Sequence, residues 1–447
     1  MPNMGPHRLS WATHCYPNCY PLLSEEDPMA YGEGSVYQRK DGKWVAALPV
    51  GYTRTGGLKR ATRIRKTEAE AKRALRQLRR DHAAGQTQGA SPRTTLKTWC
   101  DQWKASAVTR LRPNSVDIMT RMVDAWIVPT IGSKRLTDLN PSDMRALDKA
   151  HEKAGSSPTT AHRCRAILLK ILRDARTEGH AVPQVVFDVP LPRKAPNRRK
   201  AIPAADAATL LKAATEPDAW PKLDANATKR ERNARRLAGE HDASRWVAAL
   251  LQGLRQGEAL GLTWDRVDLD AGTLTVDRQL QAIPKRARDA GLPGWYDAHH
   301  LTGSYHLVPT KTAAGARVLP IVPWMAAALA TWKDHCPDSP WGLVWPRPDG
   351  GPWSASDDME AWRGLQDAAG VHKSGSGTED DPWGYYVTHE ARHSTATLLM
   401  AAGVPAAVII ALMGHTSVTT TLGYQHADLE QARQALEAVA PRLGLTA

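Results

Sequence analysis

Residues 412–426 read Leu412-Met413-Gly414-His415-Thr416-Ser417-Val418-Thr419-Thr420-Thr421-Leu422-Gly423-Tyr424-Gln425-His426. A histidine follows a glycine at a helix-end signal, and a tyrosine follows nine residues later with Ser and Thr between. Upstream stands Thr388-His389-Glu390-Ala391-Arg392-His393-Ser394. There His389 and Arg392, three apart, share one face of a helix. Further upstream lies Pro309-Thr310-Lys311-Thr312, followed by Arg317-Val318-Leu319-Pro320-Ile321. The first segment of the series is Gly253-Leu254-Arg255-Gln256-Gly257-Glu258. Singly, each has a bland reading: a solvated arginine, a surface lysine beside a turn, a helix-terminal histidine, a core tyrosine. Their order along one unit does not.

That order resembles the tyrosine recombinase family, the phage integrases of the lambda type among them. The resemblance implies a catalytic set of Arg255, Lys311, His389, Arg392, His415 and the nucleophile Tyr424, with Glu258 one turn from Arg255 and able to orient it. It covers residues from about 204 to 430 well. It extends more loosely to Val128-Pro129-Thr130-Ile131-Gly132 and to an N-terminal sheet similar to arm-DNA-binding modules. The residue types suit the implied reaction. Two guanidiniums can hold the oxygens of a phosphodiester in bidentate forks and favour the phenolate of a tyrosine, whose reference pKa is about 10. A histidine can accept the phenol proton, and a lysine can protonate the leaving oxygen. A second histidine can donate to a non-bridging oxygen. Neither an Asp/Glu cluster at metal spacing nor a nucleotide-binding Gly-Lys motif accompanies the set, so no metal and no cofactor is expected. Two other readings stay open here: a type IB topoisomerase-like strand transferase, and a non-enzymatic DNA-binding regulator on a recombinase scaffold.

Outward from these segments the chain reads as a mixed fold, mainly α with small antiparallel sheets (α+β). Residues 1–30 form an extension whose His7, His14, Cys15 and Cys19 match no common zinc module. Residues 31–90 read as an arm-type DNA-binding module. Strands at Ser35–Arg39, Trp44–Pro49 and Ala61–Lys66 precede a helix capped by Thr67 and Glu70, with stripe Ala71, Ala74, Leu75 and Leu78. Its 14 Lys and Arg against 5 Asp and Glu carry much of the net charge. Arg63 and Arg65, two apart on one strand face, are the candidate DNA-binding residues. Residues 95–183 read as a four- or five-helix core-binding bundle. One of its helices is expected to bury Val116, Met119, Val123 and Trp126, and the last Ile167, Leu168, Ile171, Leu172 and Ala175. A Pro-rich basic linker spans 184–203.

The unit from 204 to 447 is expected to carry the chemistry. Its strands are read at Leu274–Ala282, Tyr305–Pro309 and Arg317–Ile321, the last two joined by a turn at Thr312–Gly315. Pro284–His300 and Ser374–Trp383 read as inserted loops. A tail stripe of Leu429, Ala432, Leu436, Val439 and Leu443, with Pro441 ending it early, is expected to dock on a neighbouring protomer, with folding onto its own unit as the alternative.

Composition sets the frame. Among 447 residues, 59 Lys and Arg stand against 46 Asp and Glu, giving a net charge of +13. That excess suggests a polyanionic partner. The chain has no run of about 18 apolar residues, so DNA rather than a membrane is expected, in a cytoplasmic, nucleoid-associated protein. Five scattered cysteines point to free thiols. The resemblance further implies double-stranded DNA with core and arm sites, a homotetramer on it, and an excisionase and a DNA-bending protein as accessory partners.

Overall fold

The computed structural model describes residues 34–52, 57–83, 91, 93–195, 201–312, 315–378, 380–414 and 429–445. The zinc-type cluster at the N-terminus, most of 84–94, residues 196–200, His415 and Tyr424 lie outside the described residues. The fold is mixed α+β, mainly helical with small antiparallel sheets, as expected. The chain divides into two compact units. One holds the residues up to Thr94 with Arg135–Asp138 and Leu172–Pro183; the other holds Thr95–Lys134, Leu139–Ile171 and Gln184 onward.

In the first unit, β1 (Ser35–Gln38), β2 (Trp44–Tyr52) and β3 (Leu58–Arg65) form one antiparallel sheet. Helix α1 (Glu68–Ala83) packs on it through Ala74, Leu75 and Leu78 against Ala46, Leu48 and Ala61. Thr67 caps α1 by accepting from the Glu70 amide at 3.3 Å, while the Glu70 carboxylate accepts from the Lys66 amide. Arg63 pairs with Ala46 and Arg65 with Trp44. Cross-strand partners share a face, so both arginines lie on the face that α1 covers, and both are exposed. The opposite face carries the half-exposed Tyr37 and Ile64.

The second unit opens with α2 (Leu96–Arg110), where Leu96, Trp99 and Trp103 are buried. Next, α3 (Pro113–Met122), a π turn (Val123–Ile127) and α4 (Val128–Ile131) run on as one rod. The rod corrects one expectation. It buries Thr120, Val123, Ile127 and Ile131, whereas Val116, Met119 and Trp126 are only half-buried. The amide of Val128 donates to Val123, five residues back. The buried positions keep a spacing of 3, 4 and 4 through this π turn, so they still form one helical stripe. Helix α5 (Pro141–Lys153) starts at Asn140, which forms a capping box with Asp143. In α6 (Pro158–Thr177) all five stripe residues are buried.

Beyond them come α7 (Ala204–Thr215), α8 (Lys229–Gly239), α9 (Ala243–Leu250), α10 (Gln256–Leu260), β4 (Val267–Asp268), β5 (Thr273–Val276) and β6 (Arg278–Ala282). Then follow α11 (Lys285–Asp289), β7 (His299–Thr302), β8 (Tyr305–Pro309), β9 (Arg317–Pro320), α12 (Pro323–His335), α13 (Ala355–Ala369), α14 (Thr388–Ala401), α15 (Ala406–Met413) and α16 (Leu429–Val439). The single strand expected over Leu274–Ala282 is two strands in two sheets. β5 lies between β4 and β9, while β6 pairs with β8, which also pairs with β7. Asp277 is the break: it pairs in neither strand, and its carbonyl accepts from the Thr310 amide at 3.1 Å. Consequently β8 and β9, flanking Lys311, are not partners: β8 is the middle strand of one sheet and β9 an edge strand of the other.

The expected docking of the tail on another protomer also needs correcting for this chain. Ala432, Leu436, Val439 and Leu443 are buried in the chain's own core, and Arg433 donates to the carbonyls of Ile321 and Gly272. As expected, the helix stops before Pro441, in a 3-10 turn over Ala440–Leu443. Among the described residues no helix is long and apolar enough to cross a membrane.

Candidate active site

Arg255 immediately precedes α10 in extended backbone, with φ −70° and ψ 151°. Glu258 holds it at both ends: Oε2 accepts from the Arg255 amide at 3.0 Å and Oε1 from Nη1 at 2.5 Å. Arg255 Nη2 donates to the carbonyl of Gly414 at 3.0 Å. That carbonyl is available because Gly414 ends α15 in the left-handed region at φ 56°.

Glu258 has a second cation. Arg317, the first residue of β9, donates from Nη2 to Glu258 Oε2 at 2.9 Å, from Nε to Leu412 O at 2.7 Å and from Nη1 to Gly315 O at 2.9 Å. One guanidinium thereby ties together the last turn of α15, the turn after Lys311 and the carboxylate behind Arg255. Burial alone would raise the Glu258 carboxyl. The charge and hydrogen bond of Arg317, with the amide and charge of Arg255, outweigh it and hold the group below the usual carboxylate range.

Arg392 sits on α14 with 1% of its surface exposed. Its Nη1 donates to the carbonyl of Gly253. Gly253 is left-handed at φ 63°, and a Cβ there would meet Met413 Sδ at 2.8 Å, so the turn that offers this carbonyl requires glycine. The Nε and Nη2 of Arg392 are buried and have no hydrogen-bond partner among the described residues. Burial, then the positive charges of Arg255 and Arg317, push this guanidinium down to about 9. A buried cation with unused donors, repelled by two others, is costly as it stands. The local electrostatics are those of a receptor for an anion.

His389 lies one turn earlier on α14 and is exposed, its ring 4.8 Å from that of His393. Beside it, the buried Glu390 caps the helix by accepting from the Val387 amide at 3.0 Å, and it pairs with Lys373 at 2.5 Å. Lys311 is exposed, just past β8. Its predecessor Thr310 fixes the turn, donating from Oγ1 to Thr312 O at 3.1 Å. The structure therefore gathers Arg255, Glu258 and Arg392 and places Lys311 and His389 on the surface. Sequence reasoning missed Arg317 and Glu390. The available signal for Arg317 was a charged residue opening an otherwise apolar strand, and for Glu390 a carboxylate in the first turn of a helix.

Two family models match the chain. The one described as "Phage integrase family" spans residues 233–431 and contains all six candidate catalytic positions. The one described as "Phage integrase, N-terminal SAM-like domain" spans residues 95–147. This chain is a tyrosine recombinase. An integrase of Saccharopolyspora erythraea is 22% identical over 88% of this recombinase and 93% of its own length. The tyrosine recombinase XerC of Methylobacterium sp. (strain 4-46) is 27% identical over 75% of this chain and 90% of its own. Among solved structures, the Tn1549 transposon integrase, in complex with transposon right-end DNA, superposes with a TM-score of 0.53. It is 17% identical and covers 77% of this chain and 99% of that one, a likeness of fold. The recombinase is thus an enzyme of site-specific recombination, and its guanidinium cluster falls inside the matched region.

Proposed function

We propose that this recombinase cuts and rejoins double-stranded DNA through a 3′-phosphotyrosine bond to Tyr424, integrating, and with a partner excising, a mobile element such as a phage or an integrative plasmid. The observation that carries the reading is Arg392, a buried cation beside Arg255 and Arg317 with two donors that have no partner among the described residues. A phosphodiester supplies the missing acceptors and the missing negative charge. The phenol oxygen of Tyr424 attacks phosphorus and gives its proton to His389. The bond from phosphorus to the 5′ oxygen breaks, and Lys311 protonates that oxygen. Arg255, Arg392 and His415 stabilise the charge that builds on the non-bridging oxygens. A 5′ hydroxyl from a second duplex reverses the steps, so the exchange needs no fuel.

Residues 31–90 would bind arm sites, 95–183 and 204–447 would embrace the core site, and 184–203 would link them. Four copies would assemble on DNA, with an excisionase and a bending protein setting direction. The structural match solved with transposon-end DNA supports this reading. The test is covalent trapping on a nicked suicide duplex, with peptide mapping of the adduct. The parent should trap through Tyr424 and Tyr424→Phe should trap nothing. An adduct on another residue defeats the proposal.

A further inference from the structure

The turn that carries Lys311 is held from outside its own sheet. Arg112, between α2 and α3, donates from Nη2 to Thr310 O at 2.8 Å and from Nη1 to Pro309 O at 3.3 Å. These are the two carbonyls immediately before Lys311. The Thr310 carbonyl belongs to the same planar peptide as the Lys311 amide, so fixing that oxygen fixes the plane from which the lysine side chain departs. The Pro309 carbonyl also accepts from Gln279 Nε2 at 3.2 Å, so the distinctive tie of Arg112 is to the Thr310 carbonyl, one residue past the end of β8 at Pro309. Thr310 is otherwise held by the Asp277 carbonyl below it and by its own turn.

Arg112 is itself well seated. Its backbone is the N-cap of α3, its guanidinium lies 5.9 Å from the ring centre of Tyr296, and it is half-buried. Neighbouring contacts keep the two elements in register. Asn114 donates to Ala282 O at 3.2 Å, Trp295 Nε1 to Thr109 O at 2.7 Å, and Arg286 lies 3.4 Å from Asp124. The segment 284–300, which sequence reading left as an insertion, supplies Arg286, Trp295 and Tyr296 to this seam.

We propose that Arg112 is a positioning residue for Lys311: it orients the peptide that presents the general acid, so protonation of the leaving oxygen depends on the helical bundle being seated against the strand that carries the lysine. A planar fork reaching two successive carbonyls suits this task better than an ammonium. The inference rests on the proposed role of Lys311.

The test compares cleavage of an ordinary suicide duplex with one bearing a 5′-bridging phosphorothiolate, whose sulfur leaves without a proton. Four proteins are used: the parent, Arg112→Met, Lys311→Ala and the double variant. Arg112→Met should slow ordinary cleavage on the order of 10-fold to 100-fold, a part of the ~10²–10⁴ a general acid contributes. It should cleave the sulfur-bridged duplex at the parent rate and bind the duplex with the parent's Kd. The double variant should be no slower than Lys311→Ala, because both changes remove one function. Arg112→Lys should recover part of the rate. If Lys311→Ala is rescued by sulfur and Arg112→Met is not, or if the two losses multiply, the inference falls while the acid stands. If Lys311→Ala is not rescued either, the acid assignment falls and takes the inference with it. A loss confined to Kd would make Arg112 a DNA contact instead.

Discussion

At the scale of single residues, the site trades stability for anion affinity. Burial, with the charges of Arg255 and Arg317, holds Arg392 near 9 in the folded chain, well below the ordinary arginine range. A cationic group with a depressed folded pKa disfavours folding at every pH below that folded value, and the penalty fades only as pH rises toward the unfolded one. Replacing it with an apolar side chain of similar length relieves the burial cost and, among the described residues, loses the bond to Gly253. Arg392→Met should therefore leave thermal stability unchanged or raise it, by up to a few kcal/mol (~1–4), while strand cleavage drops by orders of magnitude. Calorimetric melting beside the trapping assay measures both. A variant that melts well below the parent would show that the guanidinium is structural.

Between elements, a second buried charge group sets how the catalytic unit responds to acid. His241 follows α8, and Asp358 on α13 lies 3.4 Å from its Nε2 without hydrogen-bond geometry. Asp358 Oδ2 accepts from Arg245 on α9 at 2.9 Å and from Gln256, the neighbour of Arg255, at 2.8 Å. Trp353 and Trp246 close over the imidazole at 4.2 and 5.0 Å between ring centres. Burial pushes His241 down to about 4, although Asp358 opposes the shift. With the folded value below the unfolded one of 6.5, the imidazole's neutral state contributes fully above pH 6.5. The contribution is lost as pH falls toward 4, because only the unfolded chain takes up the proton. That window is worth on the order of 3 kcal/mol. His241→Phe, which keeps the ring among the tryptophans, should flatten the pH dependence of urea-unfolding free energy between pH 6.5 and 4. An unchanged slope would locate the acid sensitivity elsewhere.

For the whole molecule, positive charge is concentrated at one end: residues 31–90 carry an excess of nine basic over acidic side chains within a net +13. If this module engages a separate arm site, Arg63→Ala with Arg65→Ala should weaken arm binding and lower its log-log salt slope by roughly one to two. Core-site cleavage should persist at the parent level. Filter binding at several salt concentrations, beside core cleavage, decides it. Equal losses at both sites would mean that the module has no site of its own.

What the sequence determined by itself was whatever depends on local period or on chemical type. Ala71, Ala74, Leu75 and Leu78 are buried because a 3.6-residue repeat leaves one apolar stripe, and Thr67 caps α1 because its hydroxyl accepts from a free amide of the first turn. The order Arg, Lys, His-x-x-Arg, His, Tyr was legible because the chemistry admits few substitutes. Tertiary structure decided the rest. Leu274, Val276 and Leu280 keep one parity and are all buried, so no period shows that Asp277 hands the chain from one sheet to another. In the rod, packing chose the stripe Thr120, Val123, Ile127 and Ile131 over one through Val116 and Met119, although both have helical spacing. The tail stripe of α16 fits any apolar groove, and only the packed core shows it covering its own. Arg317 acts through the Leu412 carbonyl, 95 residues away, and Arg112 through the Pro309 and Thr310 carbonyls, 197 and 198 residues away, and a backbone oxygen leaves no mark in the sequence of side chains.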